Sequence, residues 1–165
     1  MPTSTVTLRP PRNCVERRAI WWWTTQELLE AVIPALVLGV LAMIIGPARF
    51  WLLLAMIVVL AAGIPYAIVV PLWRYRVHRW EATDDAVYVK TGWLWQEWRI
   101  APMSRIQTVD TERGPLEQLF KLSSVTVTTA SAAGPIKIAG LDHELAADLV
   151  RQLTATTQAT RGDAT

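Results

Sequence analysis

The 165-residue chain carries 16 Lys/Arg and 14 Asp/Glu, a formal net charge of +2, with 52% hydrophobic residues and nine tryptophans; its mean hydropathy is +0.27. Residues 74–158 hold ten basic and ten acidic side chains, which excludes the basic excess expected of a nucleic-acid-binding surface. Cys14 is the sole cysteine, which excludes an intramolecular disulfide.

Residues 1–27 form a polar N-terminal segment with Arg9, Arg12, Arg17 and Arg18, closing on Trp21, Trp22 and Trp23. Cys14 reads as an ordinary thiol, because the apolar stretch that a lipid-anchored cysteine needs before it comes after it. Two apolar runs follow, residues 28–46 and residues 50–73, and from Ala31 to Trp73 the only charged side chain is Arg49. About 20 apolar residues suffice to cross a hydrocarbon core of about 30 Å, and neither run has a polar face to offer water. Both are therefore expected to span a membrane. A link as short as residues 47–49 allows only an antiparallel hairpin. Arginines flank its open end (Arg74, Arg76 and Arg79 follow the second run), so both termini are expected in the cytoplasm. The tryptophans before the first run, with Trp73 and Tyr75 after the second, suit the aromatic belts of a bilayer. A cleaved signal peptide is disfavoured by the length of the first run and by the span that follows it.

Small residues recur along both runs: Ala31, Ala35 and Gly39, then Ala55, Gly63 and Ala67. They are expected to let the two helices approach closely. Pro34, Pro65 and Pro71 are expected to kink them or end turns. Glu30 lies near enough to the interface to reach water, and no other ionisable group within the spans suggests an ion pathway.

Beyond Trp73 the pattern changes to short segments rich in Val, Ile, Thr and Trp between turn residues, as expected of strands. Strands are predicted at Tyr75 to Ala82, Ala86 to Thr91, Leu94 to Ile100, Arg105 to Thr111 and Ser124 to Ala130, with a sixth marked by Ile136 and Ile138. Turns are predicted at Thr83 to Asp85 and Ala132 to Gly134, and a short helical stretch at Leu116 to Phe120. Asp142 should cap a C-terminal helix whose apolar stripe is Leu145, Leu149 and Leu153, joined by Ala146 and Val150. Residues 74–158 thus read as one mainly-β domain, a curved antiparallel sheet or open barrel capped by a helix, and residues 159–165 as a disordered tail.

No catalytic constellation is visible. His78 and His143 are the only histidines, too few with one cysteine for a Cys/His metal site. Asp84 and Asp85 read as a turn, and the serines lack a nucleophile-elbow pattern. No metal, cofactor or small-molecule substrate is expected, and the chain reads as a non-enzyme. Two groups remain as candidate contact residues. Arg74, Arg76 and Arg79 suit anionic lipid headgroups, each contributing on the order of 1 kcal/mol near a charged leaflet, although the same arginines serve as a stop-transfer signal. Trp93, Trp95 and Trp98 are candidates for a membrane or partner surface.

The order of residues after Arg74 resembles the YdbS-like bacterial PH domain family. The matching stretches are Tyr75-Arg76-Val77, Ala82-Thr83-Asp84-Asp85-Ala86-Val87-Tyr88-Val89 and Thr91-Gly92-Trp93. Ile100-Ala101-Pro102 and Arg105-Ile106-Gln107-Thr108-Val109 follow. Gly114-Pro115-Leu116-Glu117, Leu119-Phe120, Val125-Thr126-Val127-Thr128-Thr129-Ala130 and Ile138-Ala139-Gly140-Leu141 complete the set. Where family members often carry an arginine after Gly-Pro-Leu-Glu, this chain has Gln118. The resemblance implies a membrane-anchored, PH-like fold, a bent antiparallel sheet capped by the terminal helix, and does not itself imply an activity. The function expected is an interaction module that scaffolds or assembles a membrane protein complex, with a partner of the same family or a second copy. Sensing of anionic membrane lipids is the alternative.

Overall fold

The structure, a computed structural model, describes residues 11–131 and 134–162. Arg9 and most of the predicted Ala132–Gly134 turn lie outside the described residues. The elements are β1 (Asn13–Cys14), α1 (Arg18–Ile44), α2 (Arg49–Val77), β2 (Arg79–Ala82), β3 (Ala86–Thr91), β4 (Glu97–Pro102), β5 (Ile106–Glu112), α3 (Pro115–Leu119), β6 (Leu122–Thr129), β7 (Ile136–Asp142) and α4 (His143–Gly162). Single 3-10 turns sit at Gly46–Ala48 and Met103–Arg105.

Both apolar runs are helical, and both helices continue through their internal prolines. Only 17% of the most apolar stretch of α1, and 11% of that of α2, is buried. A soluble core helix would be covered, so these open apolar faces need lipid. The seam between the helices is made of the small residues. Ala31, Ala35 and Ala42 of α1 and Ala67 of α2 are buried, and Gly39 lies against Met56. A Cβ placed on Gly63 would stand 2.5 Å from that of Ala31, so α2 can approach this closely only with glycine there. The small-residue pattern is thereby absorbed by the hairpin itself.

The strands form two antiparallel sheets, one in the order β1-β2-β3-β4 and the other β5-β6-β7. The predicted turn at Thr83 to Asp85 closes β2 on β3: the Thr83 hydroxyl accepts the Ala86 N–H at 3.2 Å. Inward residues of the two sheets, among them Val87, Val89 and Ala101 on one side and Val125, Val127 and Ile138 on the other, make one apolar core. α4 covers it with Ala146, Leu149 and Leu153. Leu145, expected in that stripe, is exposed because the buried face is set one position later in the turn. Asp142 accepts the Glu144 N–H at 2.9 Å, as a helix-capping carboxylate should. α4 continues to Gly162, past the start of the predicted tail.

Gly114-Pro115-Leu116-Glu117 also acquires a physical reason. Pro115 opens α3, where its missing N–H costs nothing. The Glu117 carboxylate then accepts the Gly114 N–H at 2.7 Å and, through its other oxygen, the Ser124 hydroxyl at 2.6 Å. Both Glu117 and Ser124 are buried, so this carboxylate ties the β5–β6 connection to β6.

Four further expectations are corrected. Tyr75 to Val77 are helical rather than the start of a strand. The His78 N–H donates to the Arg74 carbonyl at 2.8 Å, ending α2 there; continuation of a packed helix overrides the strand preference of Tyr and Val. Residues 92–96 form a loop, so the strand predicted from Leu94 begins only at Glu97. Gly92 has φ +103°, and a Cβ there would collide with the Trp95 carbonyl oxygen, which marks a chain reversal. α1 begins at Arg18, well before the apolar run. And Trp23, expected in an interfacial belt, is buried in the core of the β-domain with Val15 and Ala19.

The last two corrections share a cause. β1 pairs with β2, Asn13 opposite Trp80 and Cys14 opposite Arg79. Two residues later the Glu16 N–H donates to the Gly140 carbonyl of β7 at 2.9 Å. The N-terminal segment therefore bridges an edge of each sheet. Gly140, at φ +77°, leaves room for α1: a Cβ on it would stand 2.8 Å from that of Ala19. Arg18 seals the joint by donating to Asp142 at 2.5 Å. Partial burial works the other way, but this bond, the Glu144 N–H and the Arg18 charge together hold the Asp142 carboxyl below its usual range. The hairpin and the β-domain thus share one core, and both ends of the hairpin lie on the same side.

Candidate functional site: a pocket between hairpin and sheets

Where α1 and α2 leave the β-domain they enclose, with β3, β4 and β7, a cleft of about 480 Å³. Trp22, Trp23 and Gln26 reach it from α1 and Arg74 from α2, while Arg99 and Lys137 come from the two sheets. The Arg74 guanidinium lies 4.7 Å above the Trp23 ring, a cation–π contact that orients its charge. Arg99 is held by Glu97 at 2.7 Å and by the Pro135 carbonyl at 2.8 Å. Lys137 pairs with Glu112 at 2.7 Å. Three cations and one carboxylate, Glu97, therefore face this space.

His78 lies against it too, 97% buried by its 3% exposure, its ring 5.5 Å from that of Trp23. Neither of its ring nitrogens has a hydrogen-bond partner, nor does the buried Trp23 indole nitrogen. Burial first, and the Arg74 charge second, push the His78 pKa down to about 4, so the ring is neutral at physiological pH. Orphaned buried polar groups are costly and rare. Here a neutral imidazole and an indole N–H border a cationic cleft.

The candidate residues are only partly brought together. Of the three arginines, Arg74 alone enters the cleft. Arg76 is exposed on the last turn of α2, and Arg79 sits on β2, donating to the Cys14 sulfur. Of the three tryptophans, Trp93 and Trp95 lie on the β3–β4 loop, whereas Trp98 is exposed on β4 under Lys90, whose Nζ is 4.9 Å from its ring centroid. His143 is exposed, with Nδ1 3.1 Å from the Ser123 hydroxyl. Sequence reasoning missed Gln26, Arg99 and Lys137. Gln26 stands three and four positions after Trp23 and Trp22, a helical spacing that α1's early start would have exposed. Nothing in the sequence signals the other two. Among the described residues, no three His, Cys, Asp or Glu side chains converge as metal ligands would.

The chain is thus a two-helix membrane hairpin continuous with two antiparallel sheets, closed by a C-terminal helix. The model described as Bacterial PH domain matches residues 29–157, most of the chain. The chain belongs to the bacterial PH domain family. It is also 26% identical over 129 residues to the UPF0699 transmembrane protein YdbS of Bacillus subtilis (strain 168), an alignment that covers 76% of this chain and 81% of that protein. No solved structure matches. Membership of the bacterial PH domain family accords with the two sheets and terminal helix, and the transmembrane relative with the two spans. Neither the family description nor the relative's name carries a reaction. In this bacterial PH domain the core is completed by Val15, Ala19 and Trp23, residues from before the first apolar run.

Proposed function

We propose that the chain is a non-enzymatic, membrane-anchored interaction module at the cytoplasmic face of the cell membrane, which assembles with a membrane protein, of its own family or a second copy. The carrying observation is the open edge of the first sheet. Among the described residues β4 has β3 on one side only, and its outward residues Trp98 and Ile100 are exposed, beside Lys90 and Tyr88 across the ladder. An unpaired edge with apolar side chains is a template for strand addition and a liability in a chain that stays alone. A cytoplasmic placement is supported by Arg12, Arg17, Arg18, Arg74, Arg76 and Arg79 at the open end of the hairpin against Arg49 alone at its closed end, where α2 begins.

Because α1 supplies part of the domain core, trimming the domain would unfold what remains, and surface substitutions make the better test. A photocrosslinking residue in place of Trp98, in native membranes, is expected to capture a membrane protein or a second copy. Ile100→Lys on the same face should abolish the adduct while leaving the protein inserted. Equal capture from a probe on the exposed face of α4, or no effect of Ile100→Lys, would sink the reading.

A second reading rests on the cleft: it takes the phosphate of an anionic lipid headgroup. Arg74, Arg99 and Lys137 support it, three cations that face one cleft with a single carboxylate, Glu97, and charge-assisted bonds to phosphate are among the stronger ones. In nanodiscs of mixed anionic and zwitterionic lipid, the wild-type chain should retain anionic lipid through mild delipidation, less so at high salt. Arg74→Gln should lose most of that retention, and equal retention by both proteins would rule the reading out.

A further inference from the structure

The β3–β4 loop reads Gly92-Trp93-Leu94-Trp95-Gln96 and carries no charge. Its position follows from the ladder that leads into it. β2 leaves the end of α2 and runs away from the hairpin to the turn at Thr83–Asp85. β3 returns alongside, so that Lys90 stands opposite Arg79 and Thr91 is level with the helix cap at His78. The next residues pass beyond that level, back along α2.

Two contacts fix how far they go. The Trp73 indole N–H donates to the Trp93 carbonyl at 3.0 Å. The Trp93 ring then meets the Tyr66 ring edge-on, centroids 5.9 Å apart and planes at 90°. Tyr66 precedes Trp73 by about two helical turns, about 10 Å along the axis. Starting at Phe50, an apolar crossing of about 20 residues, or about 30 Å, ends near Val69. Tyr66 therefore lies inside the inner boundary of the hydrocarbon core, and Trp73 in the interfacial layer just outside it. The loop lies beside both.

The side chains agree with that depth. Leu94 is 65% and Trp95 80% exposed, on a loop whose neighbours on α2, Tyr66 and Trp73, are also open. Charge resumes only outside the loop, at Lys90 and at the Glu97–Arg99 pair. Irregular backbone is tolerated at this depth only where its polar groups are met, and the Trp73 indole meets the Trp93 carbonyl. Tryptophan prefers this layer to either water or hydrocarbon.

We propose that residues 92–96 are a membrane wedge, seated in the interfacial layer of the same bilayer that the hairpin spans, with Leu94 and Trp95 facing acyl chains. This goes beyond the partner-binding reading and does not depend on it. With the two helices the wedge makes a third attachment, off the hairpin axis, and so sets the rotation of the domain about α2. The bilayer is preferred over a protein partner as its occupant because the contact with Tyr66 places the loop at lipid depth.

The test uses the full chain in nanodiscs, with Cys14→Ser and one new cysteine carrying a polarity-sensitive fluorophore. Leu94→Cys and Trp95→Cys probe the wedge, and Asp84→Cys, in the turn at the far end of the β2–β3 hairpin, is the water-exposed reference. At positions 94 and 95 the emission should be blue-shifted. It should be quenched by lipids spin-labelled near the headgroup end of the acyl chain, and several-fold less by an aqueous quencher than at position 84. Aqueous quenching at 94 and 95 equal to that at 84, without quenching from lipid, overturns the proposal.

Discussion

Trp23→Ala is expected to lower the stability of the folded chain by about 3–5 kcal/mol, as loss of a buried aromatic does. The ring is fully enclosed and joins the hairpin to the β-domain. Its removal empties the contact with Val15, Ala19 and Gly140, and takes away the platform under Arg74. The expected result is more than a softer core. The N-terminal segment should detach, so that its bonds to β2 and β7 are lost together. Limited proteolysis of the chain in nanodiscs would show it as new cleavage between residues 11 and 18, at a temperature where the wild type resists. Trp21→Ala is the control: that neighbouring ring is 67% exposed, and its loss should change little. If both variants resist protease alike, Trp23 does not hold the joint.

The second large effect is expected from Glu117→Ala, at about 3 kcal/mol. A hydrogen bond to a charged group contributes about 1.5–3 kcal/mol, and this carboxylate accepts two, from the Gly114 N–H and the Ser124 hydroxyl. Without it a fully buried serine hydroxyl loses its partner and α3 loses the support of its first turn. Glu117→Gln keeps an acceptor oxygen and the volume, and should recover roughly half of the loss. Hydrogen exchange of the β5–β6 connection and of β6 would measure both. Faster exchange confined to α3, with β6 unchanged, would show that the carboxylate caps the helix without tying it to the sheet.

The parts of the fold that were legible in sequence are those set by short-range pattern. Residues 28–46 and 50–73 are unbroken apolar runs, and no long-range contact is needed to make them helical in lipid. β3 was read at its observed bounds because Val87 and Val89 alternate with Tyr88 and Lys90 between clear turn signals. Tyr75 to Val77 failed because their strand preference is local while the packing that keeps them helical is not. Trp23 failed for a related reason. Three consecutive tryptophans before a span look alike in sequence, but the helical turn points one into the core and another outward, and only the position of Gly140 decides which. The cleft was less legible still. Arg74 stands out by its charge beside the second span, yet its neighbours Arg99 and Lys137 come from strands far along the chain. The wedge is half visible: Trp93 and Trp95 stand out as a candidate surface, but the strand expected from Leu94 hides the loop, because the reversal at Gly92 depends on a positive φ that sequence alone does not report.

The bridging N-terminal segment has a consequence for how the chain comes to be folded. Cys14 meets Arg79, and Arg18 meets Asp142, so residues made before the first apolar run are completed by partners made after both spans. Closing so long a loop costs entropy that grows with its length, and contacts of such wide sequence separation form slowly. The hairpin shortens that search. Once α1 and α2 are paired in the bilayer, the chain before Arg18 and the chain after Val77 emerge side by side. Closure of the domain therefore requires both ends of the hairpin on one side, and a chain whose hairpin has entered with its ends on opposite sides has no β1 to offer β2. Correct topology is in this way read out by the water-soluble half, which completes its core only when the two ends of the hairpin share a side.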